Sequence, residues 1–198
     1  MRTIFIVFLA SAILSGCRNG DTVSVAPLPG RSNVPAAVLR LADAYVGSLT
    51  NKQSQDKEEI REHFTRSFFQ GFTMRGATMS GGTVADERGF LAGQEYRQVN
   101  PTKIKETMEG FGYIDTEADG TWTVSFEHSG FRPQSQPAQT WWLSSFGDTR
   151  SDLPKDTKIP DQGVRIHVTG FLSPSGHFGH LGGYDHEFYT ITISKIGS

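Results

Sequence analysis

Cysteine is nearly absent: Cys17 is the only one in 198 residues. A lone thiol closes no intramolecular disulfide and supplies no Cys-pair zinc site, so stability must come from packing. An excess of either charge is also missing, with 19 Lys and Arg against 21 Asp and Glu and a net charge of −2. That balance lacks the basic footprint of nucleic-acid binders, and nucleic acid is not an expected partner. No apolar run is long enough to span a bilayer. The longest, Ile4 to Leu14, is eleven residues, or roughly 16 Å of helix against a hydrocarbon core of ~30 Å. Signatures of common enzymes are missing as well: no Walker loop, no Gly-x-Ser-x-Gly elbow, and no Gly-x-Gly-x-x-Gly opening a helix. Gly110-Phe111-Gly112 falls at a predicted helix end instead. Disorder is excluded by what is plentiful, since fourteen Phe and 11% aromatic residues can build a core.

The N-terminus carries the most specific pattern. Met1-Arg2-Thr3 is a short basic start, Ile4 to Leu14 is apolar, and Leu14-Ser15-Gly16-Cys17 closes the run with small residues before the cysteine. A short apolar region behind a basic start is the export pattern, and the four closing residues resemble the lipobox of bacterial lipoproteins. The resemblance covers residues 1 to 17. It implies cleavage before Cys17 by signal peptidase II, a diacylglyceryl group on the sulfur, and often an acyl chain such as palmitate on the new amino group. One chain binds a membrane marginally and two or three hold it firmly. Arg18, rather than Asp, follows the cysteine, which by the resemblance to lipoproteins of enteric-type bacteria implies the outer membrane. The expected location is therefore the cell envelope, lipid-anchored and facing the periplasm. The thiol is then committed to lipid and is no nucleophile.

Residues 1–16 read as the cleaved signal segment. Residues 17–32 read as a lipidated flexible tether, rich in Gly, Pro, Ser and charge. Residues 33–110 read as about four helices. Asn33 can cap the first and Pro35 suits its first turn. Val34, Val38, Leu41, Tyr45 and Leu49 form its apolar stripe. Asp56, Glu58 and Glu59 open the second helix as a solvated acidic start, followed by Ile60, Phe64, Phe68 and Phe72 at a spacing of four. His63 reads as solvated. A third segment, Thr83 to Gln98, contains Gly89 and Gly93, four apart, which can let another backbone approach closely. The fourth opens with Asn100 and Pro101, carries Ile104, Met108 and Phe111, and ends on Gly110 as its cap.

From residue 111 to 198 the period changes to two. Trp122, Val124 and Phe126 alternate with polar residues, as do Val164, Ile166 and Val168, then Tyr189, Ile191 and Ile193. Weaker strands are expected at Gly112–Thr116 and Thr140–Phe146. Five strands with long polar connections suit a small antiparallel barrel, loosely similar in strand pattern to an OB-fold. The expected class is α+β.

Chemistry-bearing residues gather between the last two strands, from Ser173 to Glu187. Three of the six histidines fall there, beside acids and four glycines. The candidate binding residues are His177, His180, Tyr184, Asp185 and His186. An alternative reading places zinc or another transition metal on His177, His180, Asp185 and His186, in a metal carrier or metal-dependent hydrolase. The segment has no His-Glu-x-x-His motif, so the preferred reading is a long hairpin connection whose imidazoles cap carbonyls or meet water, with no cofactor. Long loops are more often functional, and binding is sought here first. His167 reads as a wet surface histidine. Glu127 and His128, as strand neighbours, point to opposite faces. Of Trp141 and Trp142, one should be core and the other partly exposed; with Trp122 they are a weaker candidate for a stacking platform. No catalytic residue is expected. The overall expectation is a tethered, non-enzymatic binding module for an envelope protein or a small ligand.

Overall fold

The computed structural model describes residues 34–49, 56–74, 76–125, 128–154 and 157–197. The signal segment 1–16, Cys17, the tether 17–32 and Asn33 lie outside these residues, as do Phe126 and Glu127. The described chain is α+β, with helices first and strands after. Among the described residues no helix is long and apolar enough to cross a membrane.

The helices are α1 (Ala36–Ser48), α2 (Lys57–Thr73), α3 (Val84–Val99) and α4 (Ile104–Gly110), the last entered through a 3-10 turn at Pro101–Lys103. In α1 the buried residues are Val38, Ala42 and Val46. Leu41, expected on the apolar stripe, is exposed; the small Ala42 lies against α2's layer in its place. Helix α2 starts where its acids predict, with the Asp56 side chain accepting from the Glu58 N–H at 2.9 Å. Phe64, Phe68 and Phe72 are all buried along it.

Gly89 and Gly93 do what their spacing suggests. A Cβ on Gly89 would lie 2.1 Å from the Phe64 carbonyl oxygen, and one on Gly93 would lie 2.1 Å from that of Phe68. Gly71 of α2 returns the contact, with its absent Cβ 1.9 Å from the Phe90 oxygen. The two helices therefore touch backbone to backbone. Thr83 and Asp86 form a capping box at the start of α3. Asp86 also accepts from Ser67 at 3.0 Å and meets His63 Nδ1 at 3.0 Å. His63 is thus half-buried on a carboxylate rather than solvated, because α3 brings its cap over that turn of α2. Gly110 does not reverse the chain after α4. It lies against Pro35, and Gly112 adopts the left-handed backbone at φ +86°.

The strands are β1 (Ile114–Ser125), β2 (His128–Pro133), β3 (Trp141–Ser151), β4 (Val164–Leu172) and β5 (His186–Lys195). Two strands expected apart, at Gly112–Thr116 and from Thr121, are one continuous β1. The place left over is taken by β2, whose Gly- and Pro-containing HSGFRP has little strand signal. The order β1-β2-β3-β5-β4 closes on itself as a barrel. The sheet is mixed rather than antiparallel: β3 pairs with β5 in parallel, and the other four pairings are antiparallel. The cause is connectivity. The 152–163 segment and β4 intervene, so the chain re-enters beside β3 in the same direction.

Helices and strands share a core. One cluster fills the barrel with Phe131, Trp141, Leu143, Ile166, Val168 and Phe188. The other lies between barrel and helices, joining the α2 phenylalanines, Met108 and Phe111 to Phe146, Phe171, Tyr189 and Ile191 of the strands. A register break divides the two. On β5, Ile191 is skipped between Thr190 and Thr192, and on β3 the residues between Ser145 and Arg150 are looped out. Side chains two apart consequently part company, Ile191 going to the helices and Ile193 to the barrel interior. Buried Arg97 of α3 fastens this bulge. Its guanidinium donates to the carbonyls of Phe72 (2.9 Å), Thr73 (3.2 Å) and Phe146 (2.7 Å), pairs with Asp148, and lies 4.1 Å from the Phe146 ring centre.

Candidate functional site

The strands leave an uncovered outer surface on β1, β2 and β3. Alternation puts His128, Gly130 and Arg132 of β2 on one face. Gly130 pairs with Thr123 on one side and Trp142 on the other, so these side chains share that face. Trp141 points inward and is buried, and Trp142 is half-exposed. The division expected of the tryptophan pair is the one found. Trp122 packs against the barrel interior and donates to Ser129 Oγ at 3.2 Å.

The β4–β5 connection folds onto this surface as an extended hairpin. Its ladder runs from Ser173 N–H to Glu187 O (2.8 Å), through Gly176 N–H to Asp185 O (2.8 Å), to a reciprocal pair between Phe178 and Tyr184 (2.8 and 3.2 Å). The tip is a tight turn at His180–Gly182. Gly179 has φ +68° there, and a Cβ on it would lie 2.4 Å from the Trp142 ring. Only glycine lets the hairpin sit so close to that indole. Leu181 takes a left-handed φ of 55°, rare for a residue with a branched side chain, and is 86% exposed.

Tyr184 is the hinge of the arrangement. Its ring meets Trp142 edge-on at 5.2 Å, and its hydroxyl bonds His128 Nδ1. On the other side of that imidazole, Nε2 lies 3.0 Å from Thr123 Oγ1, and Thr123 donates its own proton to the Gly130 carbonyl at 3.3 Å. Thr123 has one proton to give, so it accepts from Nε2–H and leaves Nδ1 to accept from the tyrosine. The imidazole is thereby bonded on both nitrogens and holds Tyr184 in place. Burial pushes the Tyr184 hydroxyl above its ordinary pKa. His128 therefore acts with Tyr184 and Thr123, partners that strand alternation alone does not reveal.

The remaining hairpin candidates are not drawn together. His186 donates from Nδ1 to the Ser173 carbonyl at 3.0 Å. His177, His180 and Asp185 are exposed along the hairpin. Among the described residues, no three His, Cys, Asp or Glu side chains form a group able to hold a metal ion. His167 keeps its place on the wet face but is not alone, lying 2.7 Å from Asp119.

A second polar cluster escapes the sequence pattern. Glu187, which reads as a flank of the His-rich loop, is half-buried on β5 opposite Trp142 of β3 and accepts from Ser144 Oγ at 2.6 Å. Desolvation pushes its carboxyl from the ordinary 4.5 up to about 7, against the hydrogen bonds from Ser144 and Tyr189. Tyr113 and Tyr189 stand beside it, and burial, reinforced by this acid, raises both well above their usual range. Among the described residues no buried side-chain nitrogen or oxygen lacks a partner. The cluster is a matched structural network, not an exposed acid–base pair.

Comparison with known proteins gives no lead: no family model, curated protein or solved structure matches the chain.

Proposed function

We propose that this chain is an envelope lipoprotein, anchored through Cys17 on the periplasmic side of the outer membrane, which acts by binding and not by catalysis. The observation that carries the binding role is the Trp142–Tyr184–His128 cluster, an aromatic surface held in a fixed geometry beneath a projecting hairpin. A half-exposed indole and an exposed Leu181 at a rigid tip give a partner apolar area at little entropic cost. The strand order, with β3 parallel to β5, supports the OB-like description of the barrel, a fold whose strand 2–3 face and 4–5 loop commonly receive ligands. That analogy supports a place and not a ligand. The partner is another envelope protein or a small ligand. The Cys17 anchor rests on the lipobox alone.

Two measurements test the reading. Intact mass of the protein from its native membrane should show a chain beginning at Cys17 and carrying acyl chains. A retained Met1 or a bare thiol defeats the anchoring. A photo-crosslinking residue placed at His177, next to the tip, should give a reproducible adduct in living cells. The same residue at Arg88 on α3 should not. Equal labelling from both sites defeats the binding face.

A further inference from the structure

A different row of the same barrel points to a ligand class. Thr121 of β1 pairs with Arg132 of β2 on one side and with Arg165 of β4 on the other. Directly paired residues project from the same face, so two guanidinium side chains flank one hydroxyl. All three line an open cleft of about 320 Å³, walled by Pro133, Gln134 and Pro137. Its floor is firm. The Gln134 N–H bonds the Asp119 carbonyl at 2.7 Å, and a Cβ on Gly163 would lie 2.7 Å from Thr121 Cγ2, so Gly163 packs close against the Thr121 side chain.

Among the described residues the two arginines have no carboxylate within ion-pair distance. Arg61, Arg66 and Arg97 each pair with a carboxylate. Among the described residues neither Arg132 nor Arg165 does. Asp119, the acid one row away, is engaged by His167 Nδ1 at 2.7 Å, and Glu117 faces the same imidazole at 3.8 Å. Two like charges on one cleft repel each other, and an anion between them reverses the sign of that interaction. The planar fork of arginine matches a tetrahedral oxyanion through paired N–H donors, and the Thr121 hydroxyl can supply a third. We infer that the Arg132–Thr121–Arg165 row is a binding site for a phosphate-type oxyanion. The site goes beyond the aromatic face, since it uses none of Trp142, Tyr184 or His128.

Calorimetric titration of the full-length protein in a neutral detergent at low salt tests this, with inorganic pyrophosphate as the first probe. Saturable one-site binding is expected. Arg132→Gln or Arg165→Gln should each weaken it about tenfold, the cost of losing hydrogen bonds to a charged group, and the double variant should abolish it. Lysine at either position should restore only part of the affinity, because the charge returns without the fork. Arg88→Gln on α3 should leave it unchanged. Glycerophosphoglycerol, a deacylated lipid headgroup, is the second probe. Tighter binding of that diester assigns the site to a membrane headgroup, and tighter binding of pyrophosphate assigns it to a free phosphate compound. Absence of saturation with both probes overturns the inference, as does affinity that survives in the double variant or falls equally in Arg88→Gln. None of these readouts depends on crosslinking in cells, so this site and the aromatic face can fail separately.

Discussion

The barrel has two outer faces with opposite fates. On one, Phe146, Phe171, Tyr189 and Ile191 disappear beneath α1, α2 and α4. On the other, Trp142, Tyr184, Arg132 and Arg165 remain at least partly open to solvent, with only the β4–β5 hairpin laid over part of them. Both faces come from the same alternating strands and both carry large side chains. What separates them is how their polar groups are satisfied. Among the described residues the covered face matches its buried polar groups internally, even Arg97. The open face carries two exposed guanidiniums, with no carboxylate paired to them among the described residues, and an exposed leucine on strained backbone. A helical layer makes the first face structural; among the described residues no helix covers the second.

The sharpest way to break this contrast is to part the helices. Gly93→Leu puts side-chain atoms where the Phe68 carbonyl stands, so α2 and α3 cannot remain in backbone contact. The expected loss exceeds about 4 kcal/mol, in the range reserved for severe core disruption, and urea unfolding measures it. A cost near zero would mean that the helices are not packed as described. Arg97→Met comes next, at about 1–3 kcal/mol, the cost of leaving buried acceptors without their donor. The carbonyls of Phe72, Thr73 and Phe146 would lose their donor together. A loss below about 1 kcal/mol would show that the bulge does not depend on this clamp.

The difference between these two sites also shows what a sequence discloses. Gly89 and Gly93 are legible because helix periodicity places them on one face beside a matching row of phenylalanines. Arg97 is not, because its carbonyl partners lie 24, 25 and 49 residues away and carry no side-chain signature. The same limit applies in the sheet. Alternation identifies which residues share a face, as with Trp141 and Trp142, but does not identify the neighbouring strand, and so the parallel β3–β5 pairing stays hidden. The His-rich segment is legible as a place where polar side chains gather, and its Tyr184 packs edge-on against Trp142. Its histidines are close in sequence but distributed along a hairpin, and the imidazole that completes the cluster, His128, comes from β2.

Glu187, between Trp142 and the tyrosines Tyr113 and Tyr189, gives the boundary of the two faces a pH signature. Its folded pKa, about 7, is above the ordinary 4.5, so the folded protein holds this proton more tightly than the unfolded chain. The associated stability is fully present below about pH 4.5 and is lost as pH rises through about 7. The whole excursion is at most roughly 3 kcal/mol. Asp86 runs the other way. Burial alone would raise its carboxyl, but hydrogen bonds from Thr83, His63 and Ser67 outweigh that and hold it below the usual range. Its contribution is lost only in stronger acid, outside the window from pH 5 to about 8. Chemical denaturation across that window should show stability declining in the native protein and a flatter profile in Glu187→Gln. Parallel profiles would place the carboxylate in contact with water.

The smallest stability effect belongs to the open face and is the most informative there. Leu181 costs the fold conformational energy at φ 55° and, being 86% exposed, recovers almost nothing by burial. Leu181→Gly relieves the left-handed strain but adds entropy to the unfolded chain, and these oppose each other within about 1 kcal/mol. Stability should therefore stay level or rise slightly, whereas the crosslink from the hairpin tip should weaken severely. An unchanged crosslink would remove Leu181 from the interface and leave its strained backbone as a consequence of the tight Gly179–Gly183 turn alone. A marked fall in stability would instead mean that the leucine packs against something in the folded chain, and the tip would then belong with the covered face.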